Sequence, residues 1–147
     1  MSLRDWLRNS WVTEHKTSPE EIASLLAIVE RDLENAAIAD LSADWKLNIA
    51  YNAALQAATA ALAAAGYRAA REQHHYRTIQ SLAHTLGWKP ARVNQFDSFR
   101  KKRNIGGYEA AGLISDREAR EMLQLAEQLR DEVVSWLRAN NPELLKS

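Results

Sequence analysis

The chain has no cysteine, which excludes disulfides, thiolate zinc sites and cysteine nucleophiles. Net charge is missing too. Across 147 residues, 19 Lys and Arg balance 19 Asp and Glu, so the chain as a whole is not a polycation of the kind that coats nucleic acid. No segment sustains strand alternation, and no Asn-Gly or Asp-Gly pair marks a hairpin. The longest weakly polar run, Asn48 to Tyr67, carries no charge, is half alanine and contains Asn48, Asn52, Gln56 and Thr59. It is too polar for a membrane span and reads as a buried helix. The stretch MSLRDWLRNSW places charges where a signal peptide would have its apolar core, so a cytoplasmic location and no membrane partner are expected. There is no internal repeat, heptad array or low-complexity linker.

Helix signals fill the chain. Ser18-Pro19-Glu20-Glu21 supplies an N-cap, a proline for the first turn and an acid at the third helical position. Ile22, Leu25, Leu26, Val29, Leu33, Ala36 and Ala37 then recur at helical spacing, ending near Asp40. A second helix runs from about Ser42 to a C-terminal Gly66, carrying Trp45 and Ile49 and then the alanines. A third spans about His74 to Leu86, with His75, Ile79, Leu82, Ala83 and Leu86 on one face. A fourth follows Pro90, with Val93, Phe96 and Phe99 three apart. Ser115 to Glu118 is a capping box, and the last helix follows with Ala119, Met122, Leu123, Ala126, Leu129, Val133, Trp136 and Leu137 before stopping near Asn140. The predicted architecture is one all-α domain over residues 1–147, an antiparallel bundle of four to five helices. Its core is 18–140, with an N-terminal extension of 1–17 and a tail of 141–147.

The charges are segregated. Residues 18–47 hold seven acids and two bases, a net of −5; residues 68–103 hold nine bases and two acids, a net of +7. The basic segment ends in FRKKRNIGGYE, Phe99 to Glu109. Lys101 and Lys102 suit the negative end of a helix dipole and solvent. Arg103 follows Phe99 by four and Phe96 by seven, so it continues the apolar stripe, and Arg100 flanks it. A guanidinium at the inner edge of a stripe must be paired or must face a cleft. Gly106 and Gly107 permit a sharp turn that returns Tyr108 towards Arg103 and Asn104, where guanidinium, amide and phenol suit a phosphate. Arg77, with Arg68 and Arg71, either extends this surface or pairs with Glu72, Asp97 or the acidic first helix. Asp97, three before Arg100 and four before Lys101, reads as an ordinary helix-surface partner.

The order Arg103-Asn104 followed by Tyr108 resembles the Arg-x4–6-His signature of the HEPN (higher eukaryotes and prokaryotes nucleotide-binding) domain family. The preceding HHYRTIQSLAHTLG helix, FDSFRKKRN and the final helix ending VVSWLRANNPEL extend the resemblance over Ala53 to Leu144. The family implies a helical homodimer. Many members are metal-independent ribonucleases, often toxins of toxin–antitoxin pairs, and others are non-catalytic partners of nucleotidyltransferases. The implied partners are thus RNA or a nucleotide and a cognate antitoxin or nucleotidyltransferase. By the same resemblance Arg103 would hold the scissile phosphate and Asn104 would orient the motif.

Here the motif histidine is replaced by Tyr108. A free phenol titrates near pKa ~10 and is a poor general base at neutral pH. Either catalysis is lost or another group accepts the proton. His75, on the apolar stripe of the third helix, is the candidate, although a packed histidine bonded to a neighbour is its plainer role. His74 is expected to be exposed or capping, and His84 solvated. Adjacent His74 and His75 point about 100° apart on a helix and make a poor metal pair, so neither metal nor cofactor is expected. The candidate set is Arg103, Tyr108 and His75 for catalysis, and Arg100, Lys101, Lys102, Asn104 and Arg77 for phosphate or RNA. The rival reading is a non-catalytic helical module that docks an acidic partner protein. For the implied dimer, Trp11 and Trp88 look exposed in the sequence and would mark an interface.

Overall fold

The computed structural model describes residues 1–105 and 114–146. In chain order it comprises α1 (Leu3–Arg8), β1 (Val12–Glu14), α2 (Pro19–Ala36), α3 (Ala43–Ala64), β2 (Tyr67–Ala69), α4 (His74–Gln80), α5 (Leu82–Thr85), α6 (Pro90–Ile105) and α7 (Asp116–Asn140), closed by a 3-10 turn at Pro142–Leu145. The expected all-α architecture is present, with one small sheet added to it.

Local chemistry sets the helix limits. Ser18 Oγ accepts from Glu21 N at 3.1 Å, and Pro19 opens α2. Ser115 and Glu118 cap α7 reciprocally. α3 ends where Gly66 takes φ +100°, a conformation that a side chain would resist.

The core is organised around α3, which packs chiefly against α2 and α7. Ala50, Ala53, Ala54, Ala57, Ala58, Ala60 and Ala61 have no exposed surface. Side chains this small let two neighbouring helices approach α3 from different sides. Asn52 meets Asp32, while Leu55 and Leu62 share a hollow with Leu25 and Glu21, so α2 and α3 run antiparallel. On the far side, Arg92 pairs with Glu132 and Lys102 with Glu118, which sets α6 antiparallel to α7. Ile22, Leu47, Phe96, Met122, Leu129 and Leu137 fill the spaces between helices, each worth roughly 1.5–3 kcal/mol in burial.

Three features depart from expectation. Short strands do occur: β1 pairs antiparallel with β2, Val12 opposite Ala69 and Glu14 opposite Tyr67. Three residues are too few to show a period of two. The sheet and buried Trp6 and Val12 fold residues 1–17 onto the bundle. Trp88 is not an exposed end but 5% accessible, its indole N–H donating to Glu132 at 3.1 Å and the Arg92 guanidinium 4.0 Å above its ring. Trp45, expected on the apolar side of α3, is 64% exposed. Leu47 takes the inward position, and a residue two earlier lies about 200° around the helix.

The alanine packing makes Ala57→Leu an overpacking change. It should lower the unfolding free energy by about 1–3 kcal/mol, read in urea as a lower midpoint at unchanged slope.

Candidate functional site

α4 starts abruptly. Gln73, the residue before it, has φ +55° and ψ 35°, a left-handed backbone that costs a non-glycine residue energy. The bend brings His74, His75 and Tyr76 against the last turns of α6. Together with Gln73, Arg100 and Arg103 they line an open cleft of about 580 Å³.

The two arginines are held differently. Arg100 Nε donates to Asp97 Oδ1 at 2.6 Å, and its guanidinium carbon lies 5.5 Å from the Tyr76 ring centre. Arg103 forms no salt bridge among the described residues. Its guanidinium lies 5.0 Å from the ring centre of Tyr51, within the range of cation–π attraction. Tyr51 has no exposed surface, so it is a fixed platform. A guanidinium held by a ring face has a fork of donors whose geometry suits an anion's oxygens.

Behind the arginines, Tyr51 Oη and His75 Nδ1 are 3.2 Å apart. Burial pushes the Tyr51 phenol up to about 12, against the opposing pull of Arg103 and Arg100, so it stays protonated at neutral pH. Burial first, then Arg103, His74 and Arg100, holds the His75 pKa below the usual histidine value. A neutral imidazole accepts a proton at neutral pH. With Nδ1 engaged by Tyr51, Nε2 is the ring nitrogen that lacks a protein partner among the described residues. His74 is also shifted down, by burial and then by Arg68.

Of the residues singled out in the sequence, the fold brings Arg100, Arg103 and His75 together. Lys101 points outward, 3.7 Å from Asp97, and Lys102 is bound to Glu118 of α7. Arg77 is absent from the cleft lining. Its guanidinium stacks 3.8 Å from the Trp11 ring centre and 5.3 Å from that of Tyr76. Asp97 is no surface partner; it is 6% exposed and clamps Arg100. His84 is exposed as expected, its ring 5.0 Å from Trp6. The Asn104 side chain and Tyr108 lie outside the described residues. Tyr51, Gln73 and Tyr76 were not expected at the cleft, and His74, weighed beside His75 as a base but expected to be exposed or capping, lines it. Tyr51 carried a signal, as the one aromatic within the alanine run that ends at Gly66. Gln73 carried none, since its role is a backbone angle.

No protein-family model, curated protein or solved structure matches the chain. The HEPN resemblance therefore stands on the residues quoted for it.

The depressed His75 pKa fixes a sign. The unfolded chain takes up a proton near pH ~6.5 and the folded ring resists it. Stability should therefore fall as pH drops below about 6.5 and level off once the folded ring protonates. NMR titration should place the His75 pKa below that value and move it up in Arg103→Ala, which removes the cation that acts on it most strongly. His75→Gln should make the acid loss of stability shallower in urea titrations at pH 5 and 7.5.

Proposed function

We propose that the chain is a HEPN-like protein that binds RNA or a nucleotide through phosphate contacts at Arg103 and Arg100. The observation that carries this reading is the state of Arg103. It is a half-buried guanidinium with no carboxylate partner among the described residues, on the wall of an open cleft. A cation so placed is costly unless an anion completes it.

The reading extends to metal-independent cleavage of single-stranded RNA. Neutral His75 takes the proton of a 2′-hydroxyl. The 2′-oxygen attacks phosphorus, Arg103 stabilises the charged phosphorane, and the 5′-oxygen leaves with a proton from Tyr108 or water, giving a 2′,3′-cyclic phosphate. Single strands are favoured because in-line attack needs a geometry that a duplex disfavours. In this reading His75 takes the place of the motif histidine, and the cellular setting is a toxin–antitoxin pair or a nucleotidyltransferase partnership, with the chain as a homodimer.

One observation favours the rival, a non-catalytic module that docks an acidic protein. Lys101, Lys102 and Arg77 are each occupied within the chain, which leaves few cations to follow an RNA backbone.

Labelled single-stranded RNA incubated with the protein in EDTA separates the readings. Binding should weaken as salt rises, with a log–log slope of about −0.7 per phosphate contact. Arg103→Ala should weaken it roughly ten- to a hundredfold. Cleavage abolished by both Arg103→Ala and His75→Gln identifies the ribonuclease. Binding without cleavage leaves an RNA-binding protein, and neither leaves the protein-docking module.

A further inference from the structure

Two cations of the basic segment are not spent within the chain. Arg68 on β2 and Arg71 just beyond it are exposed, and neither forms a salt bridge among the described residues. The acids that the sequence offered them are engaged elsewhere. Asp97 holds Arg100, and Glu21 Oε1 meets Thr17 and His15. The Glu21 carboxyl is held below its usual range by Thr17 first and then by His15, with Arg68 adding least. Glu72, exposed beside Arg71, pairs with neither arginine.

The sheet register sets where they stand. Val12 and Ala69 pair across the strands and are buried. The next pair, Thr13 and Arg68, therefore faces outward. With Ala69, Ala70, Arg71 and His74, these two line an open hollow of about 420 Å³. No described carboxylate lines it. Two guanidinium forks, a hydroxyl and an imidazole around one hollow suit the oxygens of a phosphate. His74 lines both this hollow and the Arg100–Arg103 cleft, and Gln73 beside it lines the cleft. Arg71 precedes His74 by three residues, so their Cα atoms lie within about 11 Å. Both hollows open on the surface, so a strand laid over the His74 rim needs no passage through the fold.

We propose that Arg68 and Arg71 form a second phosphate seat, and that the ligand is a single RNA strand with one phosphate on this seat and another in the cleft. The proposal rests on the reading of the cleft as a phosphate site, and it names the ligand as an oligonucleotide in place of a free nucleotide. A nucleoside monophosphate has one phosphate to offer and cannot fill both seats. The seats hold backbone and leave the bases unread, as in proteins that bind single strands without sequence preference. Arg68 and Arg71 thus supply the cations that Lys101, Lys102 and Arg77, each engaged within the chain, do not.

The whole chain is titrated with AMP by calorimetry, and with labelled 2′-O-methyl decaadenylate, which cannot be cleaved, by fluorescence anisotropy. The decamer should bind at least about tenfold tighter than AMP, since its second contact is intramolecular. Arg68→Ala combined with Arg71→Ala should weaken the decamer about tenfold and make its log–log salt slope shallower by about 0.7, one phosphate contact, while leaving AMP within about twofold of wild type. Arg68→Lys with Arg71→Lys should keep most of the slope. Arg103→Ala should weaken both ligands. Circular dichroism checks that each variant folds. A decamer unaffected by the double alanine variant but weakened by Arg103→Ala overturns the second seat and leaves the cleft. Equal affinity for AMP and decamer, or a double variant that weakens AMP as much as the decamer, also overturns a separate seat. A decamer weakened by the double variant and indifferent to Arg103→Ala overturns the cleft reading and the two-seat path with it. Absence of binding by either ligand overturns both.

Discussion

Twelve residues of α3 are buried, and eight of these are alanine. That composition is the constraint on which the rest depends. A helix with large side chains on two sides would hold α2 and α7 apart. This one lets them close on it and passes the larger volumes to its neighbours, Ile22 and Val29 on α2 and Met122, Leu129 and Val133 on α7. Tyr51 is the one aromatic among the twelve. It projects towards Phe96, with ring centres 5.8 Å apart, and towards His75. The packing core thus supplies the platform of the cleft, and a change that tilts α3 also shifts the ring beneath Arg103.

Asymmetry between two adjacent cations gives the cleft its character. Arg100 is neutralised in place by a nearly buried carboxylate, which fixes its fork and lends it to geometry more than to charge. Arg103 rests on an aromatic face, which steadies it without quenching it. One turn of α6 therefore holds a positioned donor beside a charge with no carboxylate partner among the described residues. The two histidines beside them are held down in pKa by burial above all, aided by Arg68 at His74 and by Arg103 at His75, so the cleft does not become a general polycation at neutral pH.

Much of this arrangement was legible in the sequence. The caps at Ser18 and Ser115, the apolar periods and the alanine run located the helices to within a few residues. The stripe Phe96, Phe99, Arg103 correctly turned Arg103 inward. The rest depended on information that periodicity does not carry. The destination of Arg77 was decided by Trp11, which is sixty-six positions away in sequence. Asp97 was buried by the arrival of neighbouring elements, not by its own helix face. The strands were too short to show alternation, and the left-handed turn at Gln73 has no residue signature because glutamine rarely adopts it.

The two-stranded sheet ties the beginning of the chain to a point beyond α3. Between Glu14 and Tyr67 lies the whole α2–α3 pair, so forming the ladder closes a loop of about fifty residues, an entropic cost that local contacts cannot recover. The helical pair must assemble before the strands have anything to close around. The stretch bearing Trp6 and Trp11, which braces α4 through Arg77, therefore leaves the ribosome before the helical pair and finds its place after it.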